Sequence, residues 1–214
     1  MAASQPARSL NVRAQWRPLL AAFCIAVFVL LALQVALQGP LLQLDDHITA
    51  WMVPHRRAWL TGAFLFVTDL HDTVGVLAAT ASLIAWCTWR RDWPGVSALL
   101  VVPTGMLLNV VLKESFERAR PALEPLVHLA TYSFPSGHAV AATVFYGIVC
   151  SMVVVRSRSE LLRGLAVALS ALMVLLVVAS RVYLGAHFAT DVIAGLAVGT
   201  LCVLLFQRFL LRPP

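Results

Sequence analysis

Ser180-Arg181-Val182-Tyr183-Leu184-Gly185-Ala186-His187-Phe188-Ala189-Thr190-Asp191 joins two long apolar runs, Leu161 to Ala179 and Phe188 to Phe206. Each run is about 19 residues, the length of one membrane-crossing helix. The joint holds a cation, an imidazole and a carboxylate around a glycine turn. His187 and Asp191 are four apart, so a helix through both would put them on one face. A carboxylate so placed can hold the imidazole in one tautomer and leave its other nitrogen free to attack. Arg181 adds a fixed cation just before the turn. Taken singly, a histidine at a helix end is ordinarily structural or a cap. The weight comes from what the rest of the chain places beside it.

The chain has 214 residues, 60% of them hydrophobic and 12% charged, with a mean hydropathy of +0.85. Soluble domains average roughly 45–50% apolar and about 25% charged. The length suits one domain. The net charge of +6 is spread over short loops, without a basic run or basic–aromatic interleaving, so it points to a membrane protein and away from nucleic acid. Cys24, Cys87, Cys150 and Cys202 lie far apart in apolar runs, with no metal-binding spacing. They read as small buried apolar residues.

Working outward, six spans emerge. Pro18 to Ala36 is the first, and it is longer than the apolar core of about 7–15 residues in a cleaved signal peptide. Gly39-Pro40 ends it. Residues 41–59 mix Leu41, Leu44, Ile48, Trp51 and Trp59 with Asp45, Asp46, His47, His55, Arg56 and Arg57. That mixture predicts an amphipathic helix lying in the membrane interface. The second span is predicted at 73–89, with 60–68 as a shallow helix before it, because Asp69, His71 and Asp72 interrupt the apolar sequence. These three read first as a polar turn at the interface. Headgroup recognition is the functional reading. A metal cluster fits poorly, since one turn gives them no convergent geometry. Pro94–Leu112, His138–Val155, Leu161–Ala179 and Phe188–Phe206 complete the set. The fold class is therefore all-α, a six-transmembrane-helix bundle with an interfacial amphipathic helix between its first two spans.

Six spans put both termini on one side. Ten of the 16 Lys and Arg fall there: Arg8, Arg13, Arg17, Arg90, Arg91, Arg156, Arg158, Arg163, Arg208 and Arg212. The positive-inside rule makes that side cytoplasmic. The joint with His187 then faces the periplasm or the cell exterior.

Two further clusters fall on the same face. Lys113 and Arg120 are seven apart, so a continued helix would align them, and Pro121 would end it. A lysine point charge and an arginine fork together can neutralise a phosphoryl group. Pro135-Ser136-Gly137-His138 stands before the fourth span. Ser136 can cap that helix, whose N-terminus attracts anions. Gly137 admits a ligand close to the backbone, and His138 is placed to protonate a leaving group. Three cations, a helix N-terminus, two histidines and a carboxylate suit an anion-rich transition state. No carboxylate cluster is present to hold Mg²⁺, so no metal and no cofactor is expected.

Lys113-x6-Arg120-Pro121, Pro135-Ser136-Gly137-His138 and Ser180-Arg181-x5-His187-x3-Asp191 resemble the three-block signature of the type 2 phosphatidic acid phosphatase (lipid phosphate phosphatase) superfamily, in its bacterial integral-membrane branch. All three blocks match in order and spacing. They span 113–191, within a single integral-membrane domain expected over 1–214; no motif covers residues 1–60. The resemblance implies that His187 is a nucleophile forming a phosphohistidine and that Asp191 orients it. It implies that His138 protonates the leaving group and then activates water. Lys113, Arg120 and Arg181 would bind the phosphoryl oxygens, helped by Ser136 and Gly137.

The implied activity is metal-independent hydrolysis of a lipid phosphate or pyrophosphate at the outer face of the inner membrane. The partner is a membrane lipid; the sequence gives no oligomeric state. Undecaprenyl pyrophosphate stands first among candidate substrates, beside phosphatidylglycerol phosphate, phosphatidic acid and lipid A. A lipid phosphotransferase would use the same residues. A vanadate-dependent oxidase is disfavoured by the six spans. A non-catalytic transporter is disfavoured because the ionisable residues cluster at span ends and leave the helix centres clean.

Overall fold

The computed structural model describes residues 12–210, with side chains described for 16–206. Arg8, Arg13, Arg208 and Arg212 of the charge count lie outside those side chains. The described residues form helices α1 (Val12–Ala36), α2 (Leu41–Met52), α3 (Ala58–Leu70), α4 (Thr73–Trp89), α5 (Trp93–Leu99), α6 (Val101–Phe116), α7 (Gly137–Arg156), α8 (Glu160–Tyr183) and α9 (Ala189–Leu210). No strand occurs among them.

Five helical stretches are long and apolar enough to cross a membrane: Trp16–Ala36, Trp93–Phe116, Gly137–Arg156, Glu160–Tyr183 and Ala189–Phe206. The pair α3 and α4, bent by 50° at a short break, makes a sixth when counted as one span. Leu19, Phe23, Leu165, Leu169 and Leu175 are exposed on α1 and α8. In water such a surface would be an aggregation liability; in lipid it is the expected exterior.

The α3–α4 break refines the predicted second span. Asp72 caps α4, its carboxylate accepting from the Gly75 backbone N–H at 2.5 Å. The polar interruption is thus a helix start. The segment before it is a full helix of 13 residues packed on α8. The Phe64 and Tyr183 rings meet at 5.0 Å, and the Thr68 and Ser180 hydroxyls pair at 3.1 Å. Asp92 caps α5 in the same way, accepting from Gly95 N–H at 3.0 Å.

The core forms where α7 packs against α6, α8 and α9. Val102, Val140, Val144 and Ile148 are fully buried there. Two glycines of α9 permit the close α7–α9 approach. A Cβ at Gly195 would lie 2.8 Å from the Ala139 Cβ, and one at Gly199 would lie 2.6 Å from the Thr143 Cβ. A second cluster joins Leu31 and Val35 of α1 to Phe134 and Ala194. The helix α2 is oriented unexpectedly: Asp45 and Thr49 are buried, whereas Leu44 and Trp51 are exposed.

Candidate active site

The turn after α8 brings the first group into place. Gly185 has φ of +71°, a left-handed conformation that glycine adopts without strain. Backbone N–H groups of Ala186 and His187 bond back to the Arg181 carbonyl at 3.0 and 3.2 Å. His187 therefore sits in the turn, and α9 begins after it at Ala189. The expected shared helical face is replaced by a cap. Asp191 occupies the first turn of α9 and accepts from the Phe188 N–H at 3.0 Å, as an N-terminal carboxylate does. Its Oδ2 then lies 3.5 Å from His187 Nδ1. Ser133, which the sequence reading passed over, donates its hydroxyl to Asp191 Oδ2 and lies 3.4 Å from the same Nδ1.

On the other side of the ring, Arg120 Nη1 donates to His187 Nε2 at 3.2 Å. Arginine only donates, so Nε2 must carry the lone pair and Nδ1 the proton. Burial pushes the His187 pKa down to about 3, against the opposing pull of the Asp191 carboxylate. The imidazole is accordingly neutral near pH 7. In that tautomer the free electron pair of Nε2 is aimed at the Arg120 guanidinium.

The chain leaves the helix earlier than the seven-residue spacing predicts. The helix α6 ends at Phe116, and Glu117 turns left-handed at φ of +45°. Lys113 stays on the last turn of α6, and Arg120 lies in the loop. They converge nonetheless, because both reach the loop backbone at Tyr132. Lys113 Nζ donates to the Tyr132 carbonyl. Arg120 Nη2 donates to the same oxygen at 3.0 Å, and its Nε donates to the Thr131 carbonyl at 2.6 Å. Ser136 caps α7, accepting from Ala139 N–H, and its own N–H donates to the Asp191 carbonyl at 3.0 Å. The starts of α7 and α9 are thereby fastened together.

Lys113, Arg120, Gly137, His138 and His187 line one cavity of about 480 Å³. Its far end is apolar, formed by Leu77, Pro103, Met106, Leu107 and Val110 of α4 and α6. Leu107 and Val110 are themselves exposed, so the apolar end opens at the lipid-facing surface. Ser136, Arg181 and Asp191 are buried without lining the cavity. Arg181 Nη1 donates to Thr68 Oγ1 at 2.9 Å, while its Nε and Nη2 are buried without a partner among the described residues. Of the polar trio, His71 and Asp72 line the cavity, and Asp69 is exposed and does not. His71 is buried and pairs with Tyr146 through Nε2.

Two more groups had escaped notice. Asn109 lines the cavity one turn before Lys113, with its Oδ1 buried and without a partner among the described residues. Its i,i+4 relation to Lys113 was the available signal. Behind Asp191 lies a buried ion cluster. Arg118 Nη1 donates to Asp191 Oδ1 at 2.5 Å, and Nη2 donates to Asp45 Oδ2 at 2.8 Å.

These helices and this cavity define a membrane-embedded phosphatase: the chain belongs to the PAP2 superfamily, whose model matches residues 94–212. Phosphatidylglycerophosphatase B of Bacillus subtilis (strain 168) is similar to it, 35% identical over 170 residues that cover 77% of this chain and 82% of that protein. The crystal structure of a transmembrane PAP2 type phosphatidylglycerolphosphate phosphatase from Bacillus subtilis superposes with a TM-score of 0.81 at 33% identity, covering 88% of this chain and 94% of that one. Aquifex aeolicus LpxE shares the fold, with a TM-score of 0.59 at 21% identity over 78% of this chain and 94% of that one.

Proposed function

We propose that this protein hydrolyses a lipid phosphate of the phosphatidylglycerophosphate class through a phosphohistidine at His187. The observation that carries the reading is the lone pair of His187 Nε2, held at Arg120 inside a cavity with a cationic end and an apolar end. The phosphate headgroup sits at the cationic end and the acyl chains leave between α4 and α6.

His187 Nε2 attacks the terminal phosphorus, forming an N–P bond while the P–O bond to the lipid alcohol breaks. His138 gives its proton to the departing alkoxide. Asp191 stabilises the positive charge that appears on the ring. Lys113, Arg120 and Arg181 neutralise the phosphoryl oxygens, with the partnerless nitrogens of Arg181 available to them. Ser136 and Gly137 form the mouth of α7, where a Cβ on Gly137 would stand 3.1 Å from Asn109 Nδ2 and crowd the ligand. His138 then takes a proton from water, the hydroxide attacks phosphorus, and the N–P bond breaks to release inorganic phosphate.

The headgroup assignment rests on the Bacillus subtilis matches in sequence and in structure and on Asn109. Its unpartnered Oδ1 can accept from a glycerol hydroxyl, which undecaprenyl pyrophosphate lacks. Contact of the headgroup with His71 and Asp72 belongs to the same proposal. The active site faces the periplasm or exterior, with cytoplasmic termini, as the distribution of Lys and Arg indicates. The test is phosphate release by detergent-purified protein from phosphatidylglycerophosphate, phosphatidic acid, lipid A and undecaprenyl pyrophosphate. The first should be cleaved fastest, and Asn109→Ala should erase its advantage. Fastest release from undecaprenyl pyrophosphate would overturn the headgroup assignment. Label appearing in an added alcohol instead of in phosphate would make the protein a phosphotransferase.

A further inference from the structure

The cluster behind Asp191 links the catalytic end to a helix that never reaches the cavity. Asp45 belongs to α2 and is 1% exposed; Arg118 is 8% exposed and Asp191 fully buried. Asp45 Oδ1 accepts from the Thr190 N–H at 3.0 Å. Its Oδ2 accepts from Arg118 Nη2 at 2.8 Å and from the Thr190 hydroxyl. Arg118 Nη1 donates to Thr190 Oγ1 at 2.8 Å and to Asp191 Oδ1 at 2.5 Å. The guanidinium is also stacked on the Phe188 ring at 4.2 Å. One planar fork is thus shared between two carboxylates and clamped on a ring beside His187. Neither Asp45 nor Arg118 lines the cavity.

We infer that Asp45 and Arg118 are positioning residues for the phosphoryl-transfer step: they fix the orientation and effective charge of Asp191, and through it the tautomer and basicity of His187. Arg118 holds Oδ1 of Asp191, which leaves Oδ2 to Ser133, Phe188 N–H and His187 Nδ1. Unshared, the Arg118 charge would neutralise Asp191 and weaken its support of the imidazolium formed on N–P bond formation. Asp45 draws that charge away and keeps Asp191 anionic toward the ring. An arginine that gives one Nη to each carboxylate does this with geometry as well as charge. The helix between the first two spans thereby takes part in catalysis.

This inference rests on His187 being the nucleophile, and its test separates the two. Asp45→Asn keeps the shape and the Oδ1 acceptor but removes the charge. Its kcat for phosphatidylglycerophosphate should fall on the order of 10- to 100-fold, the scale of a small misplacement of a reacting group. KM and the inhibition constant for inorganic phosphate should stay within about twofold, because the phosphate-binding groups are untouched. Selective nitrogen-15 histidine spectra should show the His187 ring, assigned through His187→Ala, losing its single Nδ1–H tautomer. Asp46→Asn, exposed on the same helix, should match wild type. Where Asp45→Asn does not fold, Arg118→Lys, which retains the charge and loses the fork, must show the same kcat-only loss. An unchanged kcat, or kcat, KM and phosphate inhibition moving together, overturns the inference. Wild-type turnover by His187→Ala would instead overturn the nucleophile assignment.

Discussion

Burial of a neutral imidazole at His187 has a thermodynamic consequence of its own. In the unfolded chain His187 takes up a proton near its ordinary pKa of 6.5, whereas in the folded protein it does so only at about 3. Between these values the unfolded state binds more protons, so stability falls as pH falls. The full contribution is present above about pH 6.5 and drains away toward about pH 3. Thermal unfolding in detergent should therefore lose more between about pH 7 and about pH 4.5 in wild type than in His187→Ala, which has nothing to protonate. Equal losses would mean that His187 is not buried neutral. At this scale the sequence exposed what is local. The three blocks bring Lys113, Arg120, Ser136, Gly137, His138, Arg181, His187 and Asp191 to view through their resemblance to a family signature. It hid what is distant: Asp45 meets Thr190 across 145 positions and Arg118 across 73. Aspartate on a short mixed helix looks like a solvated charge, and only the packing of α2 on α9 turns it inward.

Helix ends, more than helix bodies, decide the site. Apart from the second, the predicted spans agree with the observed membrane-length stretches within a few residues, since apolar runs of this length have one stable form in lipid; the second, predicted at 73–89, makes a span only together with α3. The junctions were less legible. A seven-residue spacing suggested one continued helix from Lys113 to Arg120, but the chain turns at Glu117. A four-residue spacing suggested that His187 and Asp191 share a helix, but Asp191 caps α9 from within while His187 stays in the turn. Both pairs converge anyway, held by backbone carbonyls that no side-chain pattern reveals. Close contact of α7 with α9 then sets the distance between His138 and His187. Gly199→Val would drive methyl groups into Thr143, whose Cβ lies 2.6 Å from a Cβ built at that glycine. Overpacking of this kind costs about 1–3 kcal/mol. Gly199→Val should lower the thermal midpoint and cut turnover, whereas Gly62→Val, with nothing within 4 Å, should do neither. A Gly199→Val protein with wild-type stability and rate would show that the interface tolerates separation.

At the scale of the molecule, composition alone placed the chain in a membrane, and the six-span count survives with α3 and α4 as one bent span. The bundle gathers Lys113, Arg120, His138 and His187 at one end, and a cavity of about 480 Å³ runs from these groups to apolar residues of α4 and α6. That combination suits a substrate with an anionic head in the protein and hydrocarbon in the bilayer. In the proposed mechanism, turnover passes through phosphate bound to His187. The most direct measurement is rapid mixing of purified protein with phosphatidylglycerophosphate labelled in its terminal phosphate, in EDTA, followed by an alkaline quench. A phosphohistidine at His187 would give protein-bound label that appears before free phosphate, is released by acid, maps to His187 and is absent from His187→Ala. Turnover that proceeds with no protein-bound label, or undiminished in His187→Ala, would contradict it.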